Sequence, residues 1–351
     1  MSVRRQDIRF GRPIRYRLPP FRVAAAYTQL SETVDWGLAL LRVPEQWRLT
    51  RGAGIRVAVL DTGIEASHPD LVGAIDQVRD FTATARSPGS AVAADRVGHG
   101  THTAGVIGAR QNDRGVVGVA PECRLLIGKV LGDDGAGADD AVAAGIDWAV
   151  ATGADVLSLS LGSPTPSNAI AAAVARAVAA GRFVVCAAGN DGRDRSVNYP
   201  ARLDDVVAVG AVDRRGQLAD FSSRGPEVDV CAPGQEILST YLNAGYARLS
   251  GTSMAAPFVA GLAALVLAKH KARGGDTPVT SPAELLEHLR RTATDAGPAG
   301  RDDGYGFGLV DPTRLLADAA APTTGDRCEI GTVSLNGRSG KFVFVPNASS
   351  I

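Results

Sequence analysis

Four short segments of this sequence hold the residue types that nucleophilic catalysis needs. The first is Val57-Ala58-Val59-Leu60-Asp61-Thr62-Gly63. A carboxylate at the end of an apolar run is costly to bury without a hydrogen-bonding partner. Asp61 is therefore either a turn cap or the partner of another functional group. Asp-Thr-Gly also occurs in aspartic proteases, but these need two such carboxylates close together and no second triplet is present. The second segment, Gly98-His99-Gly100-Thr101-His102, holds two of the five histidines. Three residues apart on a helix, they share a face. A zinc site would need a third ligand, and no Glu-flanked His-x-x-x-His occurs. Small neighbours would let a peptide backbone approach His99, which makes it a candidate base.

The third segment, Ser250-Gly251-Thr252-Ser253-Met254-Ala255-Ala256-Pro257, opens a long apolar stretch. A serine in a first helical turn sits among unpaired N–H groups, where the helix dipole favours negative charge. Capping is the commonplace role for Ser and Thr there, and Ser250 or Thr252 could fill it, leaving Ser253 free. Pro257 is tolerable so early in a helix. In the fourth segment, Ala187-Ala188-Gly189-Asn190-Asp191-Gly192, Asn190 either serves a turn or aims its amide at a developing oxyanion.

Residues so scattered along the chain act together only if a fold gathers them. Ile55–Leu60, Leu125–Val130, Val156–Leu161, Phe183–Ala188 and Val206–Val212 read as strands buried on both faces of a parallel sheet. Helical patterns lie between and after them: His99–Ala109, Asp139–Ala151, Asn168–Ala180, Thr252–His270, Ala283–Arg291 and Pro312–Ala320. This alternation predicts an α/β fold, a three-layer sandwich around a mostly parallel sheet. Ligands of such sheets bind beyond the carboxyl ends of the strands, where Asp61 and Asn190 fall.

Composition narrows the function further. The 351 residues carry 37 basic and 37 acidic side chains, and 45% are hydrophobic, the balance of an ordinary globular protein. Zero formal charge argues against a general nucleic-acid or membrane-surface binder. The uncharged run Leu249–Ala268 has the length of a membrane span but contains Ser, Thr, Pro and Gly, so a buried core helix is expected. Four cysteines without a C-x-x-C pair, and a start lacking the apolar core of a signal peptide, predict a reduced cytoplasmic protein. The neutrality is a cancellation: residues 1–22 hold seven arginines and one aspartate, and the remainder carries six net negative charges.

Taken together, Asp61-Thr62-Gly63, His99-Gly100-Thr101-His102 and Gly251-Thr252-Ser253-Met254-Ala255-Ala256-Pro257 resemble the motifs of the subtilisin-like serine proteases, in that family's chain order. The resemblance runs from about Val34 to Ala320. It implies a serine endopeptidase with Ser253 as nucleophile, His99 as base, Asp61 as its orienter and Asn190 as oxyanion donor, His102 being structural. It also implies a polypeptide substrate lying between Gly135-Ala136-Gly137 and Ser160-Leu161-Gly162. A pocket bordered by Ser160–Gly162, Ala187-Ala188-Gly189 and Asp191, with Asn198 near its floor, leaves large apolar and basic side chains both open. Asp139 and Asp140 stand where relatives often carry an aromatic. A structural Ca²⁺ on Glu32, Asp70 and Asn112 is likewise implied, with no catalytic cofactor.

Three regions follow: a basic extension (1–33), a peptidase domain (34–320) and a C-terminal appendage (321–351) with a β-hairpin around Asn336-Gly337. The extension is similar to that of intracellular subtilisins, and Arg17-Leu18-Pro19-Pro20-Phe21 resembles their inhibitory motif. It is expected to occupy the acidic domain's cleft until removed. A dedicated maturation protease for one precursor is the narrower alternative. A binding scaffold would need a broken triad, and all four positions are intact.

Overall fold

In chain order the elements are β1 (Arg15–Arg17), β2 (Arg22–Tyr27), α1 (Trp36–Leu40), α2 (Val43–Gln46), β3 (Arg56–Asp61), β4 (Ile75–Asp80), α3 (His99–Gly108), β5 (Arg124–Lys129), β6 (Ala136–Ala138), α4 (Asp139–Ala151), β7 (Val156–Leu159), α5 (Asn168–Ala179), β8 (Phe183–Ala187), β9 (Val207–Val212), β10 (Val230–Pro233), β11 (Ile237–Thr240), β12 (Tyr246–Ser250), α6 (Thr252–Ala272), α7 (Pro282–Thr292) and α8 (Pro312–Leu315). The structure is a computed structural model that describes residues 14–82, 92–274, 279 and 281–317, and the backbone of 330–335 and 338–343.

All five apolar runs become strands of a seven-stranded parallel sheet ordered β10-β9-β8-β7-β3-β5-β4. Successive residues of a strand point to opposite faces. Val57 and Val59 thus enter one core with α3 and α6, while Ala58 and Leu60 enter the other with α4 and α5. This is the three-layer α/β sandwich expected. The edge strand β4 (Ile75-Asp-Gln-Val-Arg-Asp80) is only partly buried and lacks the apolar run that marks its neighbours. β10 is four residues long and escapes a pattern reading for that reason. Strand order reverses around β3, so the loops after β3, β7 and β8 meet at one end of the sheet.

Helix α6 is buried over most of its 21 residues, so the long apolar stretch is a core helix. Beside the main sheet, β2, β12 and β11 form a three-stranded antiparallel sheet. Helix α8 ends at Leu315, earlier than its pattern suggests, and 318–320 lie outside the described residues.

A second unit begins at Ala317. In it, Ile330–Leu335 (β13) and Arg338–Val343 (β14) pair antiparallel. The Asn336-Gly337 turn lies outside the described residues.

His102 ties α3 to the antiparallel sheet: its Nε2 lies 2.9 Å from the Ile237 carbonyl and 3.1 Å from that of Ala247. Burial, followed by the neighbouring His99, drives its pKa down to about 3 against a gain from the Ile237 carbonyl. The unfolded chain takes up this proton near pH 6.5 and the folded chain does not, so this contribution is complete above that pH. It falls by up to about 1.4 kcal/mol per pH unit on acidification toward 3. His102→Gln keeps an amide donor without titrating. Urea unfolding at about pH 7 and about pH 4 should show the wild type losing the larger share of its stability. Parallel losses in both proteins would disprove the assignment.

Candidate active site

Asp61 ends β3 at 1% exposure, so its carboxylate oxygens must be satisfied by protein groups. The Thr62 N–H donates to Oδ1 at 2.7 Å, and His99 Nδ1 lies 2.8 Å from Oδ1 and 3.0 Å from Oδ2. Thr103 Oγ1 donates weakly to Oδ2 at 3.4 Å. A carboxylate at Nδ1 fixes the proton there, which leaves Nε2 with its lone pair as the basic atom. Nε2 is buried and has no hydrogen-bond partner.

His99 is the first residue of α3, whose N-cap Gly98 has φ +89° and no room for a Cβ against the Tyr241 ring. Glycine alone meets both demands. The end of β3 is fastened to this helix start by Asp95. Its Oδ1 accepts from Thr62 Oγ1, Val97 N and Gly98 N, each at 2.9 Å. Its Oδ2 accepts from Thr101 N at 2.9 Å and Thr101 Oγ1 at 2.8 Å. Burial pushes the Asp95 carboxyl up, but the hydrogen bonds from Thr101, Gly98 and Val97 outweigh it and hold the pKa below the usual range.

Ser253 is the second residue of α6, whose cap is Gly251, with no side-chain cap hydrogen bond. Neither hydroxyl expected to cap does so. Ser250 Oγ accepts from Glu236 N, while Thr252 Oγ1 donates to Asn190 Oδ1 at 2.8 Å and accepts from Gly189 N at 3.0 Å. Ser253 is fully buried, and its Oγ donates to the Ser160 carbonyl at 3.4 Å. Pro257 has no N–H for the carbonyl four residues back, and that carbonyl, Ser253 O, takes the Ser160 hydroxyl at 3.0 Å instead.

Asn190 follows β8. Its Oδ1 is held by Thr252 N and Oγ1, both at 2.8 Å, which turns Nδ2 outward to the carbonyl of Pro20 at 2.8 Å. A Cβ on Gly251 would lie 2.9 Å from that Nδ2, so a larger residue there would displace the amide.

The groove between the two expected edges holds the chain's own N-terminal segment. β1 runs antiparallel to β6, with Tyr16 opposite Gly137 and Arg17 opposite Ala136. On the other side Arg17 exchanges both backbone hydrogen bonds with Gly162, at 3.1 and 2.9 Å. The Leu18 N–H donates to the Gly135 carbonyl at 3.0 Å. Tyr16 is fully buried in the cluster that includes Leu131, Val142 and Leu161, and Pro19 is buried as well. The Phe21 ring lies 5.0 Å from the His99 ring. Beyond it the segment continues as β2, paired with β12.

Of the pocket residues, Ala188 is fully buried and its carbonyl accepts from Asn198 N at 2.9 Å. The Asn198 side chain packs against two glycines: an added Cβ would come within 2.9 Å of its Cβ at Gly162 and 2.5 Å of its Nδ2 at Gly189. Asp191 faces solvent, 40% exposed and 3.9 Å from Arg193.

Glu32, Asp70 and Asn112 meet away from the groove. Asp70 is fully buried; its Oδ2 accepts from Val116 N at 2.8 Å and its Oδ1 lies 3.2 Å from Asn112 Nδ2. Glu32 Oε2 accepts from the N–H groups of Asn112 and Asp113, both at 2.8 Å. Asn112 Oδ1 is buried without a partner. Two carboxylates and an orphaned amide oxygen suit a hard cation. Among the described residues no group of three or more His, Cys, Asp or Glu is placed to hold a metal, so amide and carbonyl oxygens would have to complete the shell.

Sequence reading missed Asp95, Thr62, Thr252 and Tyr16 as parts of this site. Asp95, three residues before an N-cap glycine, looks like any loop acid; only its five hydrogen bonds distinguish it. Tyr16 lies in an Arg-rich stretch whose charge hides one buried aromatic.

The subtilase family model matches residues 52–308. Subtilisin DY of Bacillus licheniformis is 42% identical over 287 residues, covering 80% of this chain and 98% of that protein. Subtilisin BL of Lederbergia lenta is 44% identical over 282 residues, covering 80% and 98%. An intracellular serine protease of Paenibacillus polymyxa is 42% identical over 293 residues, covering 82% and 88%. With a parallel-sheet fold and a buried Asp–His pair at the carboxyl end of its strands, the chain belongs to the subtilase family and is a subtilisin-like serine endopeptidase.

Proposed function

We propose that Asp61, His99 and Ser253 act as a catalytic triad, with the Asn190 amide and the Ser253 N–H as oxyanion donors. We propose also that the N-terminal segment holds the enzyme latent. Ser253 Oγ attacks the substrate carbonyl carbon while His99 Nε2 takes its proton; the same proton then passes to the leaving amine, and water repeats the sequence on the acyl-enzyme. Asp61 keeps the imidazole in the tautomer this requires and stabilises its cation. The corresponding asparagine of subtilisin contributes roughly 10²–10³ in turnover, and Asn190 should contribute as much.

The observation that carries the latent state is the Pro20 carbonyl on Asn190 Nδ2, delivered by a strand paired to both groove edges. The carbonyl so held belongs to the Pro20–Phe21 bond. On its acyl side stand two prolines, whose fixed φ and missing N–H resist productive placement. With the segment in place His99 Nε2 has no partner, and Ser253 Oγ turns to Ser160. Substrates would add the same extended strand, gaining affinity from main-chain pairing and selectivity from alternate side chains.

Glu32, Asp70 and Asn112 are the residues that would hold a stabilising Ca²⁺. A cytoplasmic setting fits the buried free thiols of Cys123, Cys186 and Cys231 and the relative named an intracellular serine protease.

A serine-directed phosphonate should label Ser253 after a lag in which residues 1–28 are lost, and Ser253→Ala should abolish labelling. Added peptide of residues 1–28 should restore inhibition. Full activity without a lag, together with indifference to the peptide, would refute latency; labelling that survives Ser253→Ala would refute the triad. For the cation, Ca²⁺ at about a hundred times its Kd should raise the Tm of Ser253→Ala protein by roughly 4 °C. The rise should vanish in Asp70→Asn; an equal rise there would remove these residues from the site.

A further inference from the structure

The N-terminal segment shows what kind of side chain this groove is built to receive. Tyr16 precedes the residue that pairs with Gly162, and it is fully buried in the apolar cluster to which Leu131, Val142 and Leu161 also belong. A phenol carried into an apolar pocket needs a hydrogen bond for its hydroxyl. Here the hydroxyl lies 3.5 Å from the Thr165 carbonyl.

The pocket end is itself fixed by hydrogen bonds. Ser167 caps α5 and donates its hydroxyl to Asp139 Oδ2 at 2.7 Å. Asp139 Oδ1 accepts from Asp140 N at 3.1 Å, and the Asp139 N–H donates to the Ile14 carbonyl at 3.1 Å. Burial first, and then the Asp139 carboxylate, push the Tyr16 phenol up to about 12 against a lowering by the Ser167 backbone N–H, so it stays a neutral donor. The Thr165 carbonyl and the Asp139 carboxylate are acceptors, and the Ser167 N–H is a donor for the hydroxyl oxygen. None of these groups has a hydrogen bond to offer a phenyl ring, and the two acceptors disfavour an anion.

We infer that the groove selects a tyrosine over a phenylalanine in the substrate residue that takes Tyr16's place, by receiving its hydroxyl at the Thr165 carbonyl in the field of Asp139. This rests on the proposal that substrates follow the path of the N-terminal segment. It gives the enzyme a defined preference: neutral phenolic side chains first, phenyl and branched aliphatic ones next, acidic ones last. The gain is that of one hydrogen bond reachable by some water, roughly three- to tenfold.

Two measurements on the full chain test it. In the first, the enzyme is allowed to pass its lag and is then given peptides with Tyr, Phe, Leu, Arg or Glu at the fourth or fifth residue before the cleaved bond. In the series that enters the pocket, Tyr should exceed Phe in kcat/KM by roughly three- to tenfold, and Asp139→Asn should shrink that ratio. Equal rates for Tyr and Phe, or a preference for Arg, would overturn the inference while leaving the proposed function standing. Absence of any hydrolysis would count against the function itself.

The second measurement needs no catalysis. In Ser253→Ala protein, hydrogen exchange at the Arg17 and Leu18 amides reports release of the segment. Tyr16→Phe should speed it by a similar factor, and Asp139→Asn should add less on top of Tyr16→Phe than on the wild type. Unchanged exchange in Tyr16→Phe would sink the inference whatever the peptides do.

Discussion

A carboxylate at 1% exposure, held 2.8 Å from an imidazole, is the constraint from which the rest of this active site follows. Burying a carboxylate is unfavourable unless each of its oxygens is answered, and leaving one answered poorly costs more than the pair returns. The answering groups come from two elements far apart in sequence, the turn after β3 and the first turn of α3. These must be locked together, and Asp95 does it by taking donors from both. A second buried carboxylate thus secures the first. The glycines at 98 and 100 follow, since side chains there would meet the Tyr241 ring and the Gly63 backbone. His102 fixes the other side of the same helix, bonded to carbonyls of β11 and β12.

The groove obeys a different constraint. Two exposed backbone edges invite pairing with any extended chain, which is useful to an endopeptidase and hazardous to its surroundings. Here they are met by a strand already tethered to the domain. Tethering replaces a bimolecular encounter with an intramolecular one, so modest contacts suffice at an effective concentration in the millimolar range. Charge favours the arrangement: residues 1–22 are net basic and the rest of the sequence is net acidic, and Arg15 lies 3.5 Å from Asp134 at the groove rim. That exposed pair contributes little by itself. The buried Tyr16, the pairing with Gly162 and the Pro20 carbonyl give the segment its register.

What was legible in the sequence was whatever is local. Continuous Val/Ile/Ala runs marked the central strands because burial on both faces removes polar residues entirely. The Asp-Thr-Gly, His-Gly-Thr-His and Gly-Thr-Ser-Met-Ala motifs stood out because small residues crowd the reacting groups. Strands β4, β10, β11 and β12 were not legible: an edge strand such as Ile75–Asp80 can keep its charges, and short strands obtain their hydrogen bonds from partners distant in sequence. Serine and threonine at the start of α6 misled in an instructive way. Propensity predicts a cap, but Thr252 was recruited to orient Asn190, and tertiary demand overrode the local preference. Asn198 and Tyr16 depend on loop packing that no spacing rule encodes.

Ser160 shows how recognition and chemistry are joined. Its carbonyl receives the Ser253 hydroxyl, and its own hydroxyl occupies the Ser253 carbonyl that Pro257 leaves unpaired. Two residues on, Gly162 pairs with the incoming strand. The helix of the proposed nucleophile and the edge that pairs with the N-terminal strand are therefore bonded through a single residue. A proline in the second turn of α6 would ordinarily count as a helix defect. Here it frees the acceptor that this bond requires. Displacing the strand edge would move the surroundings of Ser253 with it, so the register of the paired strand and the placement of Ser253 rest on the same contacts.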